Sequence, residues 1–115
     1  YQAEKLSQYI KKDGRVRLIE SRESLESFLV ERKSAKETLG VLLSLEGSHA
    51  LRSIDDLSAL GKLGYRIFAP THLHDSQWAS SSTGEKRAGL TELGRQWVSE
   101  MNRLNYIIDV AHASE

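Results

Sequence analysis

Short apolar runs alternate with amphipathic helical stretches along the chain, and this alternation constrains the fold more than any other feature. Val16-Arg17-Leu18-Ile19, Leu39 to Leu45, Tyr65 to Ala69 and Tyr106 to Val110 are runs of strand length. Between them, apolar residues recur at the three- and four-residue spacing of one helix face. Leu25, Phe28 and Leu29 share such a face, as do Leu57 and Leu60. Leu93, Trp97, Met101 and Leu104 form the last, and an opening helix over residues 4 to 12 carries Leu6, Tyr9 and Ile10. Strands separated by helices run parallel, because each helix returns the chain to the same end of the sheet.

The element boundaries have local chemical support. Ser21 and Thr91 are suited to cap helices, and Ser53-Ile54-Asp55-Asp56 has the form of a capping box. Gly14 and Gly64 follow helical stretches and are expected to stop them. Leu39 to Leu45 is almost continuously apolar, as in a strand covered on both faces. The order expected is helix, strand, helix, strand, helix, strand, long loop, helix, strand. A complete eight-stranded barrel takes about 250 residues, and this chain has 115. Four parallel strands therefore suggest an α/β fold that is part of a (β/α)8 TIM barrel, a single segment over 1–115. A flavodoxin-like open sheet is the alternative. The chain opens on Tyr1, on a helix without its own strand, so a section of a larger protein is expected. Open sheet edges would pair with a partner, which makes a homo-oligomer the expectation.

Acidic and basic residues number 16 each, so no net field draws this chain to nucleic acid or to an anionic membrane. There is no cysteine, which removes disulfides and thiolate metal sites and fits either redox compartment. Val41 to Leu45, with a serine inside it, is far too short to span a bilayer, and no signal peptide opens the sequence.

In parallel α/β folds ligands bind beyond the carboxyl ends of the strands. Three successive strands end near a residue that binds metals or moves protons: Glu46 in "LSLEGSHA", His72 in "APTHLH" and His112 in "IDVAHASE". Each has a plainer reading. Glu46 could accept backbone N–H groups, and either histidine could be a hydrogen-bonded rim residue. Following an apolar strand, Glu46 is expected to be partly desolvated, a cost that a cation would offset. Carboxylate with imidazole suits zinc and similar borderline metals, and one carboxylate can bridge two ions that activate a water. A histidine beside them can donate to a developing oxyanion. His49 and His74 are expected to be solvated, Asp109 a polar strand residue or an acceptor for a histidine, and Trp78 a packing anchor. The long loop after His72 would then form a wall or lid of the site.

The segments "LLSLEGSHAL", "LGYRIFAPTHLHDSQWASSS" and "GLTELGRQWVSEMNRLNYIIDVAHAS" occur in this order at compatible spacings. Together they resemble the membrane (renal) dipeptidase family, peptidase family M19, from about Val16 to the end. The resemblance implies a zinc-dependent (β/α)8 barrel in which the strands here are the second to fifth. It implies hydrolysis of dipeptides by metal-activated water, without a covalent enzyme intermediate. Glu46 takes the place of the carboxylate bridging two zinc ions, His112 that of a histidine metal ligand, and His72 that of the histidine that contacts substrate and stabilises the tetrahedral intermediate.

The sequence also departs from the family. The His-x-Asp pair of the family's first strand is absent, and further ligands lie beyond the part of the family matched here. Ser80 stands where Asp commonly follows W-A, and His74-Asp75 replaces other polar residues. The chain alone is accordingly expected to be inactive. The alternatives are a non-catalytic assembly module and another metal-dependent amidohydrolase-type barrel.

Overall fold

The computed structural model describes residues 2–115. Its elements, in order, are α1 (Gln2–Lys12), β1 (Val16–Leu18), α2 (Arg22–Ser34), β2 (Leu39–Val41), β3 (Leu43–Leu45), α3 (Asp55–Lys62), β4 (Tyr65–Phe68), α4 (Glu92–Arg103) and β5 (Ile107–Ile108). All strand pairings are parallel: β1 with β2, β3 with β4, and β4 with β5. The fold is thus α/β, with helices returning the chain between parallel strands.

The run Leu39–Leu45, expected as one strand, is two. It breaks at Leu42, where the chain passes from pairing with β1 to pairing with β4, and the β3–β4 register shifts between Leu43 and Ser44. Nor is this run covered on both faces. Leu43 is buried, whereas Leu39 is 57% and Leu42 42% exposed. The remaining strands are shorter than the apolar runs that announce them, with Ile19, Ala69 and the ends of Tyr106–Val110 lying just outside the ladders.

Two of the expected caps form. Ser21 accepts from the Ser24 N–H while the Ser24 hydroxyl accepts from Ser21, a reciprocal capping box. Thr91 accepts from the Gly94 N–H at 2.9 Å. At α3 the Ser53 side chain makes no cap. Asp56 reaches back instead and accepts from the backbone N–H groups of Arg52 and Ser53. Gly64 adopts φ +96, a left-handed conformation that glycine tolerates, and ends α3.

Leu51, Leu57, Phe68, Trp78, Trp97 and Met101 form the core, joined by Leu45, Tyr106 and Ile108. It packs α3, α4 and the β4–α4 loop onto one face of β3–β4–β5. Phe68 stacks on Tyr106 with centroids 5.4 Å apart. In α4 the helix turns Gly94, not Leu93, toward the core. Leu93 is exposed, while a Cβ on Gly94 would lie 1.9 Å from the Trp78 carbonyl oxygen. Only a residue without a side chain lets α4 approach the loop so closely. In the N-terminal half burial is sparse: Phe28 is buried in α2, whereas Leu25, Leu29 and Val30 are exposed, and in α1 Ile10 is buried and Tyr9 exposed. The radius of gyration is 15.9 Å, above the value of about 13 Å for a compact domain of this length.

Candidate metal centre

Three strand ends place the candidate donors. Glu46 follows β3 directly. The next residue, Gly47, has φ +85 and turns the chain into a 3-10 turn at Ser48–Ala50. This glycine is required: a Cβ would meet His49 Nδ1 at 2.9 Å and His72 Cβ at 3.0 Å. Beyond β4, the Ser48 hydroxyl donates to the Ala69 carbonyl at 2.7 Å, which ties the two strand ends together before His72. Beyond β5, Asp109 closes a turn by accepting the Ala111 N–H at 2.9 Å, and His112 follows.

These turns bring Glu46, His72 and His112 together. Each offers a donor atom, and the three atoms lie within 4.8 Å of one another. His112 Nε2 is 3.2 Å and His72 Nε2 3.5 Å from the same Glu46 oxygen, Oε1. The two imidazoles meet edge to face with centroids 4.4 Å apart. The Glu46 side chain is 63% exposed, so the desolvation expected of it is not observed. The carboxylate is turned toward solvent rather than back into the core. One carboxylate oxygen between two imidazole nitrogens is a donor set that suits a borderline divalent ion such as zinc.

The other sequence candidates lie elsewhere. His49 and His74 are exposed, and His49 Nε2 is 3.0 Å from the His74 carbonyl. The hydrogen bond of the Asp109 carboxylate goes to its own turn, not to a histidine. Trp78 is fully buried and donates from Nε1 to the Ser48 carbonyl at 2.9 Å, so it anchors the loop in the core.

The loop from Pro70 to Leu90 contributes more than a wall. Its stretch Trp78–Ser81 is buried, and short antiparallel bridges join Ala79 to Leu90 and Ser81 to Ala113. The Ser81 hydroxyl donates to the His72 carbonyl at 2.6 Å, and the Ser82 N–H to the His112 carbonyl at 2.9 Å. Asp75 holds this segment by accepting the backbone N–H groups of Ser81 at 2.8 Å and Lys86 at 3.1 Å. The Ser81 N–H foremost keeps the Asp75 carboxyl below the usual carboxylate range, against the opposing effect of burial. Sequence reasoning did not assign these roles to Asp75 and Ser81. The signal available was the density of Ser, Thr and Asp in "DSQWASSST", residues that hydrogen-bond nearby backbone.

A family model described as "Membrane dipeptidase (Peptidase family M19)" matches residues 2–115. The chain belongs to the membrane dipeptidase family. Among its relatives, Dipeptidase 3 of Rattus norvegicus is 35% identical over 89 residues, covering 71% of this chain and 18% of the relative. Dipeptidase 3 of Homo sapiens is 34% identical over the same length and with the same shares. The chain thus spans less than a fifth of these relatives. Among solved structures, a metallo peptidase from Rhodobacter sphaeroides, liganded with a phosphinate mimic of the dipeptide L-Ala-D-Ala, superposes with a TM-score of 0.77 at 25% identity. That match covers 99% of this chain and 33% of the peptidase. An amidohydrolase from Pseudomonas aeruginosa shares the fold at the same TM-score and 22% identity, over 96% of this chain and 33% of that one. This membrane dipeptidase family member therefore carries a hydrolase family's fold across all its described elements. Among the described residues no helix is long and apolar enough to cross a membrane.

Proposed function

We propose that this chain is a section of a zinc-dependent dipeptidase, comprising the second to fifth strands of a (β/α)8 barrel. What supports this reading is a single observation: Glu46, His72 and His112, from three successive strand ends, have donor atoms within 4.8 Å of one another. Membership of a dipeptidase family gives that cluster its chemical context.

In this reading Glu46 and His112 would hold the metal, and His72 would face the substrate. The metal, when bound, supplies a polarised water competent to attack an amide carbonyl at neutral pH. The residues of the chain do the rest. An N–H on His72 Nε2 is placed to donate to the oxygen that gains charge as the carbonyl becomes tetrahedral, an interaction stronger in the transition state than in the ground state. The loop carrying Trp78 excludes water from one side.

Glu46 and His112 alone are too few donors for two ions, so the full site takes ligands from further strands of the barrel, and the isolated chain hydrolyses no dipeptide. The exposed apolar positions Leu39, Leu42, Ile107 and Val110 fit a sheet that continues into further barrel strands. The same surface also suits self-association of the isolated chain, which its mass in solution reports.

The test is Glu46→Gln in the complete barrel protein. It removes a charge while keeping shape, and metal-dependent dipeptide hydrolysis is expected to disappear. Unchanged turnover refutes the reading. Equal or faster hydrolysis of lactones or phosphoesters by the unmodified protein favours a different amidohydrolase-type reaction.

A further inference from the structure

We propose that Asp75 is a positioning residue for both histidines, acting through Ser81 and Ser82. This rests on the functional reading of His72 and His112 given above. The Asp75 carboxylate accepts two backbone N–H groups, from Ser81 at 2.8 Å and Lys86 at 3.1 Å. It fills the turn between them, since a Cβ on Gly84 would lie 1.8 Å from Asp75 Oδ1. Fixing Ser81 fixes two further bonds at once. The Ser81 hydroxyl, on a fully buried residue, donates to the His72 carbonyl at 2.6 Å. The adjacent Ser82 N–H donates to the His112 carbonyl at 2.9 Å. The Thr83 hydroxyl adds a bond to the Leu73 carbonyl at 2.8 Å. One carboxylate therefore sets the backbone from which both imidazoles project, although its own hydrogen bonds go to backbone amides of the loop. Its effect on chemistry is one of placement. Misplacing reacting groups by about 1 Å costs up to about 10²-fold in rate.

An amide at position 75 would set its NH2 against one of the two N–H groups, so Asp75→Asn should loosen the turn without emptying it. Ser81→Ala removes only the hydroxyl and leaves the backbone N–H for Asp75. The first measurement is made without metal or substrate: long-range proton–nitrogen NMR spectra of the histidine rings in the 115-residue chain. Asp75→Asn is expected to move the His72 and His112 ring resonances together. Ser81→Ala should move His72 more than His112, and the remote control Asp13→Asn should move neither. The second measurement is made in the complete barrel protein. There Asp75→Asn should lower kcat by about 10-fold while KM changes less than about twofold, the pattern of misplaced catalytic groups. The double variant Asp75→Asn/Ser81→Ala should lose less than the product of the single losses, because the two act in series.

Histidine resonances unmoved by Asp75→Asn overturn the proposal. So does a wild-type kcat per folded molecule with only the folded fraction reduced. Failure of the wild-type protein to hydrolyse dipeptides would instead refute the functional reading, and the ring resonances would still decide the role of Asp75.

Discussion

Ser81 donates its hydroxyl to the carbonyl of His72 across 2.6 Å, within a segment whose next residue bonds to the His112 carbonyl. The loop after β4 thus acts as a bracket joining two strand ends. Its central residues Trp78, Ala79, Ser80 and Ser81 are buried, and it is pinned to β5's continuation on one side and to α4 on the other. A segment so tied is suited to holding donors still and poorly suited to opening and closing.

Gly47→Ala should be destabilising and should disturb the site at once. Gly47 has φ +85 and ψ +116, a conformation left almost entirely to glycine, and a Cβ there would press on His49 and His72. The expected loss is about 1–3 kcal/mol. Urea unfolding checks this, with the midpoint lowered at unchanged m.

Trp78 joins the loop to the core in two ways, by full burial and by its bond to the Ser48 carbonyl. Trp78→Ala should therefore cost about 3–5 kcal/mol. Trp78→Phe keeps most of the apolar surface but removes the donor, and should cost about 1–3 kcal/mol. Equilibrium unfolding of the two variants separates packing from the hydrogen bond; a Trp78→Phe variant as stable as the parent would show that the bond contributes nothing.

Acid should release the loop. The Asp75 carboxyl is held below its ordinary range chiefly by the Ser81 N–H, with further N–H groups from Lys86 and Glu85 and the Lys86 charge acting the same way. A lowered native pKa means that this contribution is complete above the unfolded-state value, near about 4. It is lost as pH falls through the lower native value. A carbon-13 titration of the Asp75 carboxyl, followed with the Ser81 amide shift, should place both midpoints below about 4. A midpoint at or above that value would contradict the bonding described.

Much of this was legible in the sequence, and particular residues show why the rest was not. Glu46, His72 and His112 could be picked out because the parallel α/β rule places ligands at one end of the sheet, and the structure brings those three together. Helix boundaries at Ser21 and Thr91 followed from capping chemistry that is local. The break at Leu42 was hidden because a change of strand partner leaves no mark on a run of apolar residues. The exposure of Leu25 and Leu29 was hidden for a related reason: periodicity names the apolar face, but packing decides whether anything covers it. Gly94 replaced Leu93 at the α4 contact because close approach favours the smallest residue there, a preference that a hydrophobic pattern does not register. Asp75 and Ser81 act through bonds to backbone, which no side-chain motif announces.

The central claim is that three strand ends converge on one metal site, with Glu46 and His112 holding the ion and His72 facing the substrate, and zinc affinity measured by chelator competition in the complete barrel protein tests it most directly. The account predicts that Glu46→Gln and His112→Ala each weaken binding at least about 10-fold, the order of loss expected when a metal site is disturbed, whereas His72→Ala leaves affinity within about twofold and lowers kcat. Zinc affinity unchanged by both Glu46→Gln and His112→Ala would contradict it.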